Sequence, residues 1–299
     1  MAKRTKLEHA KVRTPLLIIL SIIIGIYCIS LIATLLWMVM SSLKSDFDFS
    51  MFPFALRGPA DWEFVNYVRA FLEAEVEITV ERGTEYVGFF NMLLYSLGYS
   101  IGVAFLSNFS RSMCAYVVAR YKHLGWTNSI HVLVIVLLTV AFPGNIAVTI
   151  AFYKTMGMYN NILLCIALSA FSFTGPHFLY MYAAYSSLSR EYAESAEIDG
   201  ANQAVVMFKI MMPMVRNIFI AIFVLDFIAV WNDYNPSLLY LPQYPMLTYS
   251  LYRFQHHTPA PDIPIRLAAS TIVMTPTLIL FIVFRDKIMS NLSIGGLKG

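Results

Sequence analysis

The chain has 299 residues, 58% hydrophobic and only 13% charged. Soluble domains carry about 25% charged residues, so the composition excludes that class and points to an integral membrane protein, with apolar runs near the roughly 20 residues that cross a bilayer. A formal charge of +3 gives no reason to expect a nucleic-acid partner, and Cys28, Cys114 and Cys165 all fall in apolar runs, as small core hydrophobes rather than a disulfide set or metal site.

In chain order, a basic tail (residues 1–15) precedes an apolar run from Pro15 to Met40. That run is too long for a cleaved signal peptide, so it is expected to stay as the first span. Six spans are expected, at 16–40, 88–110, 128–150, 161–185, 217–240 and 265–284, giving an all-α polytopic fold. Fourteen of the 21 Lys and Arg residues, Arg111 and Arg120 among them, lie in segments on the N-terminal side of the membrane. The positive-inside rule then puts both termini in the cytoplasm, the C-terminal tail being 286–299.

The outer loop 41–87 holds Phe64, Tyr67, Val68, Phe71 and Leu72 at helical spacing, then a strand-like alternation over 75–81. It reads as a solvated cap or as a docking surface for an external partner. In the second span Gly98 and Gly102 form a G-x-x-x-G, a device for close helix packing. The outer loop at about 241–264 carries Pro242, Pro245, Pro259, Pro261 and Pro264 and is expected to be ordered and stiff. No long internal repeat is visible.

Between the fourth and fifth spans lies SSLSREYAESAEIDGANQAVVMFKIMMPMVR, residues 186–216. Ser189 is placed to cap a helix whose first turns carry Glu191 and Glu194, favourable near a helix N-terminus. Asp199-Gly200 suits its end, because glycine enters the left-handed region freely. A second helix is expected to place Val205, Phe208 and Met212 along one side, with Val206 and Ile210 close by, and Pro213 to mark the turn into the next span. Two short helices around a glycine hinge would offer carboxylates and an apolar ridge to the cytoplasm. The other reading is a helix resting on lipid, although such helices favour Lys and Arg on the polar face.

This stretch resembles the EAA loop, E-A-A-x(3)-G-x(9)-I-x-L-P, of permease subunits in binding-protein-dependent ABC importers. Glu194, Ser195, Ala196, Gly200, Ile210, Met212 and Pro213 stand at the matching spacing, with Ser195 in place of alanine and Met212 in place of leucine. Further likeness runs from about residue 88 to the C-terminus, through EIDGA, VWNDYNPSLLYL and FRDKIMSNLSIGGLKG, to the second permease of maltose-type systems. The resemblance implies a subunit of the prokaryotic inner membrane that pairs with a homologous permease, two ATPase subunits and an external solute-binding protein, and that carries a carbohydrate, expected to be an oligosaccharide. It implies that Glu194, Ser195, Ala196, Asp199, Gly200, Ile210, Met212 and Pro213 take up the ATPase stroke. By position, Tyr252, Arg253, Phe254, Gln255, His256 and His257 would lie at the tip of a loop facing the binding protein.

The chain lacks the G-x(4)-G-K-[ST] phosphate cradle, so ATP and magnesium are expected on the partner ATPases, with no cofactor or metal here. His256-His257 has no spaced third ligand. Polar groups within spans usually face a bundle interior or a water path. Asp226 and the run Trp231, Asn232, Asp233, Tyr234, Asn235 offer carboxylates, amides and aromatic faces for a sugar path, or else pair with neighbouring helices; Asn91, Asn108 and His177 are lesser candidates. The rivals are an importer of a non-sugar solute, an ion-driven carrier using Asp226 as a protonatable group, and a signalling or scaffold membrane protein.

Overall fold

The computed structural model describes residues 2–55, 58–80, 83–121, 123–139, 146–173, 175–256 and 262–292. The chain divides into two compact units: residues 1–73 with 257–272, and residues 74–256 with 273–299.

In the first unit, α1 (Ala2–Ser42) is one helix that passes through Pro15, with its apolar, membrane-length part over Leu17–Ser42. Its apolar side chains from Leu17 to Leu36 are exposed, Cys28 with them. Such a face is at home in lipid and not in water. Helices α2 (Asp46–Met51) and α3 (Val65–Glu73) follow. The apolar stripe on α3 is largely exposed, at Phe64, Val68, Phe71 and Leu72, while Asn66 and Ala70 are buried. The reason is polar. The Asn66 amide donates to the Ser42 and Lys44 carbonyls at 3.0 and 2.8 Å, satisfying the orphaned end of α1.

The second unit opens on the hairpin of β1 (Val76–Val80) and β2 (Gly83–Val87), an antiparallel pair that accounts for the alternation seen in sequence. Helix α4 (Phe89–Arg120) has 32 residues. At 1.5 Å per residue it is about 48 Å long, well beyond the ~30 Å hydrocarbon layer. The helix runs on past the expected end at residue 110, because the polar side chains of Ser107, Asn108, Ser110, Arg111 and Ser112 are all buried inside the unit. Arg111 is therefore an interior residue, and not part of a cytoplasmic loop.

Next come α5 (Gly125–Thr139), α6 (Ile146–Thr155), α7 (Ile162–Leu168) and α8 (Pro176–Ser186). Part of the expected span 128–150, residues 140–145, lies outside the described residues. The expected span 161–185 is broken, with Ile162–Phe171 and Pro176–Ser186 meeting at 50°. Gly175, at φ +124°, and Pro176 at the start of α8 set that break. Among the described residues three helices are long and apolar enough to cross a membrane, or five if each bent pair is one span. Of the G-x-x-x-G pair only Gly102 makes a close approach, where an added Cβ would stand 2.7 Å from Ile166 Cγ2 of α7; Gly98 has nothing within 4 Å.

The remaining elements are α9 (Glu191–Ile198), α10 (Gln203–Met214), α11 (Arg216–Trp231), α12 (Asn235–Leu239), α13 (Leu247–His256) and α14 (Ile263–Leu292). The fifth span stops at Trp231 and not 240. Asp233 accepts from the backbone and side-chain amides of Asn235 at 3.0 and 2.7 Å, and Pro236 opens α12, so the chain turns instead of continuing. The proline-rich stretch holds a helix, so Tyr252 to His256 are its last turns and not a loop tip, while His257 lies outside the described residues. One buried cluster joins α4, α8, α9 and α10 through Ala115, Phe178, Met181, Ala193, Val206 and Met211. Cys165 is buried and Cys114 partly so, as small hydrophobes should be.

Candidate functional site

The segment 190–215 is built by local chemistry. Ser189 Oγ accepts from the Glu191 amide at 3.3 Å. At the other end of α9, the Ala201 amide bonds the Ala196 carbonyl at 2.9 Å and the Gly200 amide bonds the Glu197 carbonyl at 3.1 Å. These two bonds, with Gly200 at φ +86°, form a Schellman closure, which is why glycine stands there. Asn202 then caps α10, its Oδ1 accepting from the Val205 amide at 2.9 Å.

Helix α10 contains a wide turn, a π-helix over Val206–Met211, just before Pro213. A proline clashes with the carbonyl four residues back in an α-helix, and the wider turn relieves that contact. The change of pitch also turns the helix. Val206, Met207 and Met211 are buried against the bundle, while Phe208 is 41% exposed and stacks on Phe109 at 6.0 Å. Of the apolar ridge expected to face a partner, Val206 is buried, Val205, Ile210 and Met212 are partly covered, and Phe208 stays exposed. The more open surface is α9: Tyr192 and Ile198 are exposed at 52% and 86%, as are Glu191, Glu194, Ser195, Asp199 and Gly200. Ala193 and Ala196 are buried beneath them. This explains the departure at Ser195, a surface position where a hydroxyl costs little. Ile210 and Met212 are half-buried and Pro213 is exposed.

Helix α9 is tied to the end of α4. Arg120 Nη2 donates to Glu197 Oε1 at 3.0 Å, and its Nη1 lies 3.9 Å from Glu194 Oε1. Gln203 Nε2 donates to the same Glu197 oxygen at 2.9 Å, and Tyr121 Oη donates to Gln203 Oε1 at 2.7 Å. The Gln203 hydrogen bond, followed by that from Arg120, holds the Glu197 carboxyl below the usual carboxylate range. An open cleft of about 230 Å³ beside this clamp is lined in part by Tyr116, Arg120, Ser189 and Arg190. Sequence reading missed the clamp, since 77 residues separate Arg120 from Glu197; only the placing of Glu194 and Glu197 on one helical face was legible.

Asp226 has an ionic setting of its own. Arg111 Nη1 of α4 lies 2.9 Å from its Oδ2, and His177 Nδ1 of α8 lies 2.8 Å from its Oδ1. The short contact to a carboxylate assigns the imidazole proton to Nδ1. Arg111 and Asp226 side chains are only 8% and 11% exposed, so each charge depends on the other in a poorly solvated place. Asn108 adds a further tie between α4 and α11, its Nδ2 donating to the Phe219 carbonyl at 2.8 Å; Asn91 is exposed.

Trp231 is buried at 2%, and its Nε1 donates to the Val273 carbonyl at 3.0 Å. Asn232 bonds the Ile228 carbonyl of its own helix. Tyr234 stacks on Tyr252 of α13 at 4.5 Å, and Tyr252 meets the His256 ring at 4.4 Å with a tilt of 31°. The fold thus brings part of the suspected sugar path and part of the suspected binding-protein contact into one aromatic ladder. Arg253 Nη1 donates to the Glu77 carbonyl at 3.2 Å, Phe254 is buried and Gln255 is exposed. Among the described residues no group of three His, Cys, Asp or Glu side chains is placed to hold a metal.

Residues 100–293 match the family of binding-protein-dependent transport system inner membrane components. The chain is 29% identical over 296 residues to the diacetylchitobiose uptake system permease protein NgcG of Streptomyces coelicolor, spanning 96% of this chain and 89% of that one. It is 27% identical over 218 residues to the arabinooligosaccharides transport system permease protein AraQ of Bacillus subtilis, spanning 71% and 73%. It is 24% identical over 245 residues to the melibiose/raffinose/stachyose import permease protein MelC of the same organism, spanning 81% and 83%. Among solved structures, a chain of a bacterial ABC transporter involved in the import of the acidic polysaccharide alginate superposes with a TM-score of 0.71 at 15% identity, over 90% of this chain and 95% of that one. At that identity the likeness speaks for the fold alone.

Proposed function

Because the chain belongs to the family of binding-protein-dependent transport system inner membrane components, we propose that it forms, with a second permease, the path by which an ABC importer takes up a carbohydrate, most simply an oligosaccharide. The observation that carries this reading is α9: an exposed, acidic, glycine-closed helix whose underside is buried on the spans that would have to move. Two ATPase subunits, which bind the ATP and magnesium, engage Glu194 and its neighbours from the cytoplasm, where both termini lie. Their closure pulls α9 and α10, and the path opens outward to a docked solute-binding protein. Hydrolysis resets it. The sugar assignment is supported by the relatives for diacetylchitobiose and arabinooligosaccharides. The ladder of Tyr234, Tyr252 and His256, with Asn232, Asp233 and Asn235 beside it, has the aromatic and amide chemistry a sugar or its carrier protein needs.

The test is purification of the chain from its native membrane in mild detergent, wild type beside Glu194→Lys. The reading expects an ATPase and a second permease with the wild type, and loss of the ATPase from the variant. A wild-type chain that purifies alone, and that transports without any ATPase, would transfer the case to an ion-driven carrier.

A further inference from the structure

Helix α9 reaches the bundle by two routes. Along the chain it leads through α10 to α11, across a 76° bend at Val215. A pull delivered by that route runs into α11, and α10 meets α4 on the way through apolar packing such as Phe208 on Phe109. Across space it meets α4, through the Arg120 guanidinium and its two carboxylates. Arg120 is the last residue of a helix about 48 Å long, whose interior is tied to α8 and α11 by Arg111, His177 and Asp226. An arginine at this point therefore connects α9 to the element that touches the most of the bundle.

The two carboxylates are not equivalent. Glu197 is 34% exposed and receives hydrogen bonds from both Arg120 and Gln203 on its Oε1, which faces it into the chain. Glu194 stands 3.9 Å from Arg120 and is 57% exposed, which leaves it free to meet a partner from outside. The Arg120 side chain is only 12% exposed and is screened little by solvent. The depressed titration of Glu197 agrees with a contact held closed at neutral pH. Ala193 and Ala196, buried below, let α9 lie close enough for the guanidinium to reach.

We infer that Arg120 is a positioning residue for transport: through Glu197 it makes α4 follow α9, so that one stroke moves two spans together. The inference rests on the permease reading above. It separates two roles that the sequence motif runs together, Glu194 facing outward to the ATPase and Glu197 facing inward to α4.

The experiment uses the whole importer complex, cysteine-depleted, with spin labels at Tyr192 of α9 and Met113 of α4, both exposed. The label distance is read without nucleotide and after trapping with ATP and vanadate. In the wild type the distance should change by less than about 1 Å, since the two helices travel together. Arg120→Ala and Glu197→Ala should let it change by about 2 Å, the scale of helix shifts in switching proteins. Arg120→Lys should restore part of the coupling, and the exchange Arg120→Glu with Glu197→Arg most of it, which a merely damaged fold would not do. An Arg120→Ala complex that behaves as wild type overturns the inference, as does a wild-type pair that separates on trapping. Absence of the ATPase from the wild-type complex would instead overturn the permease reading itself.

Discussion

Asp226→Ala leaves the Arg111 guanidinium with its charge uncompensated beside α8 and α11. The side chains of Arg111 and Asp226 are 8% and 11% exposed and 2.9 Å apart, so water replaces the lost partner poorly. Removing one member of such a buried pair costs about 3–5 kcal/mol, or roughly two to three and a half orders of magnitude in the unfolding equilibrium. The double variant Arg111→Met/Asp226→Leu removes both charges at similar volume and should recover most of that loss, because neither ion then needs solvation. His177 loses one hydrogen bond in both variants, worth about 1.5–3 kcal/mol when the partner is charged, and its side chain is 23% exposed and able to find water. The assay is denaturation in mixed micelles, followed by tryptophan fluorescence. A single variant within about 1 kcal/mol of wild type, or a double variant less stable than the single, would show that the pair is not the buried staple argued here.

Three more outcomes follow from the geometry. Gly102→Ala places a Cβ 2.7 Å from Ile166 Cγ2 and should cost about 1–3 kcal/mol, whereas Gly98→Ala meets nothing and should be neutral or stabilising by about 0.5–1 kcal/mol; equal effects in the same unfolding assay would refute the difference in packing. Gly200→Ala forces a side chain to φ +86° and should weaken the end of α9 by about 1–2 kcal/mol, seen as faster amide exchange over 191–201; unchanged exchange would mean the closure is not under that constraint. Glu197 has a depressed folded-state pKa, so its contribution is complete above the ordinary carboxylate value of about 4.3 and is lost as pH falls through the lower folded value. Exchange protection of α9 should therefore be flat from pH 5 to 8 and fall in stronger acid, and Glu197→Gln should abolish the step; a fall that begins above pH 5 would contradict the assignment.

What the sequence settled by itself were the properties carried by neighbours along the chain. Apolar runs announced membrane helices, the alternation at 75–81 announced a strand, and Asp199-Gly200 announced the end of α9, because each of these follows from backbone geometry within a few residues. The EAA spacing was legible for the same reason. The extent of α4 was not, since a polar run that looks like a loop becomes interior once Asp226, Tyr185 and the Phe219 carbonyl come to meet Arg111, Ser112 and Asn108. Periodicity likewise did not say which face of α3 is covered, where Asn66 had backbone carbonyls to satisfy, or that a wide turn before Pro213 buries Met207 and Met211 of α10. The Arg120 clamp and the Arg111–Asp226–His177 cluster belong wholly to the tertiary structure. A charge is tolerated in a poorly solvated bundle only where its partner lies within about 4 Å, and here that partner stands 49 to 115 residues away along the chain.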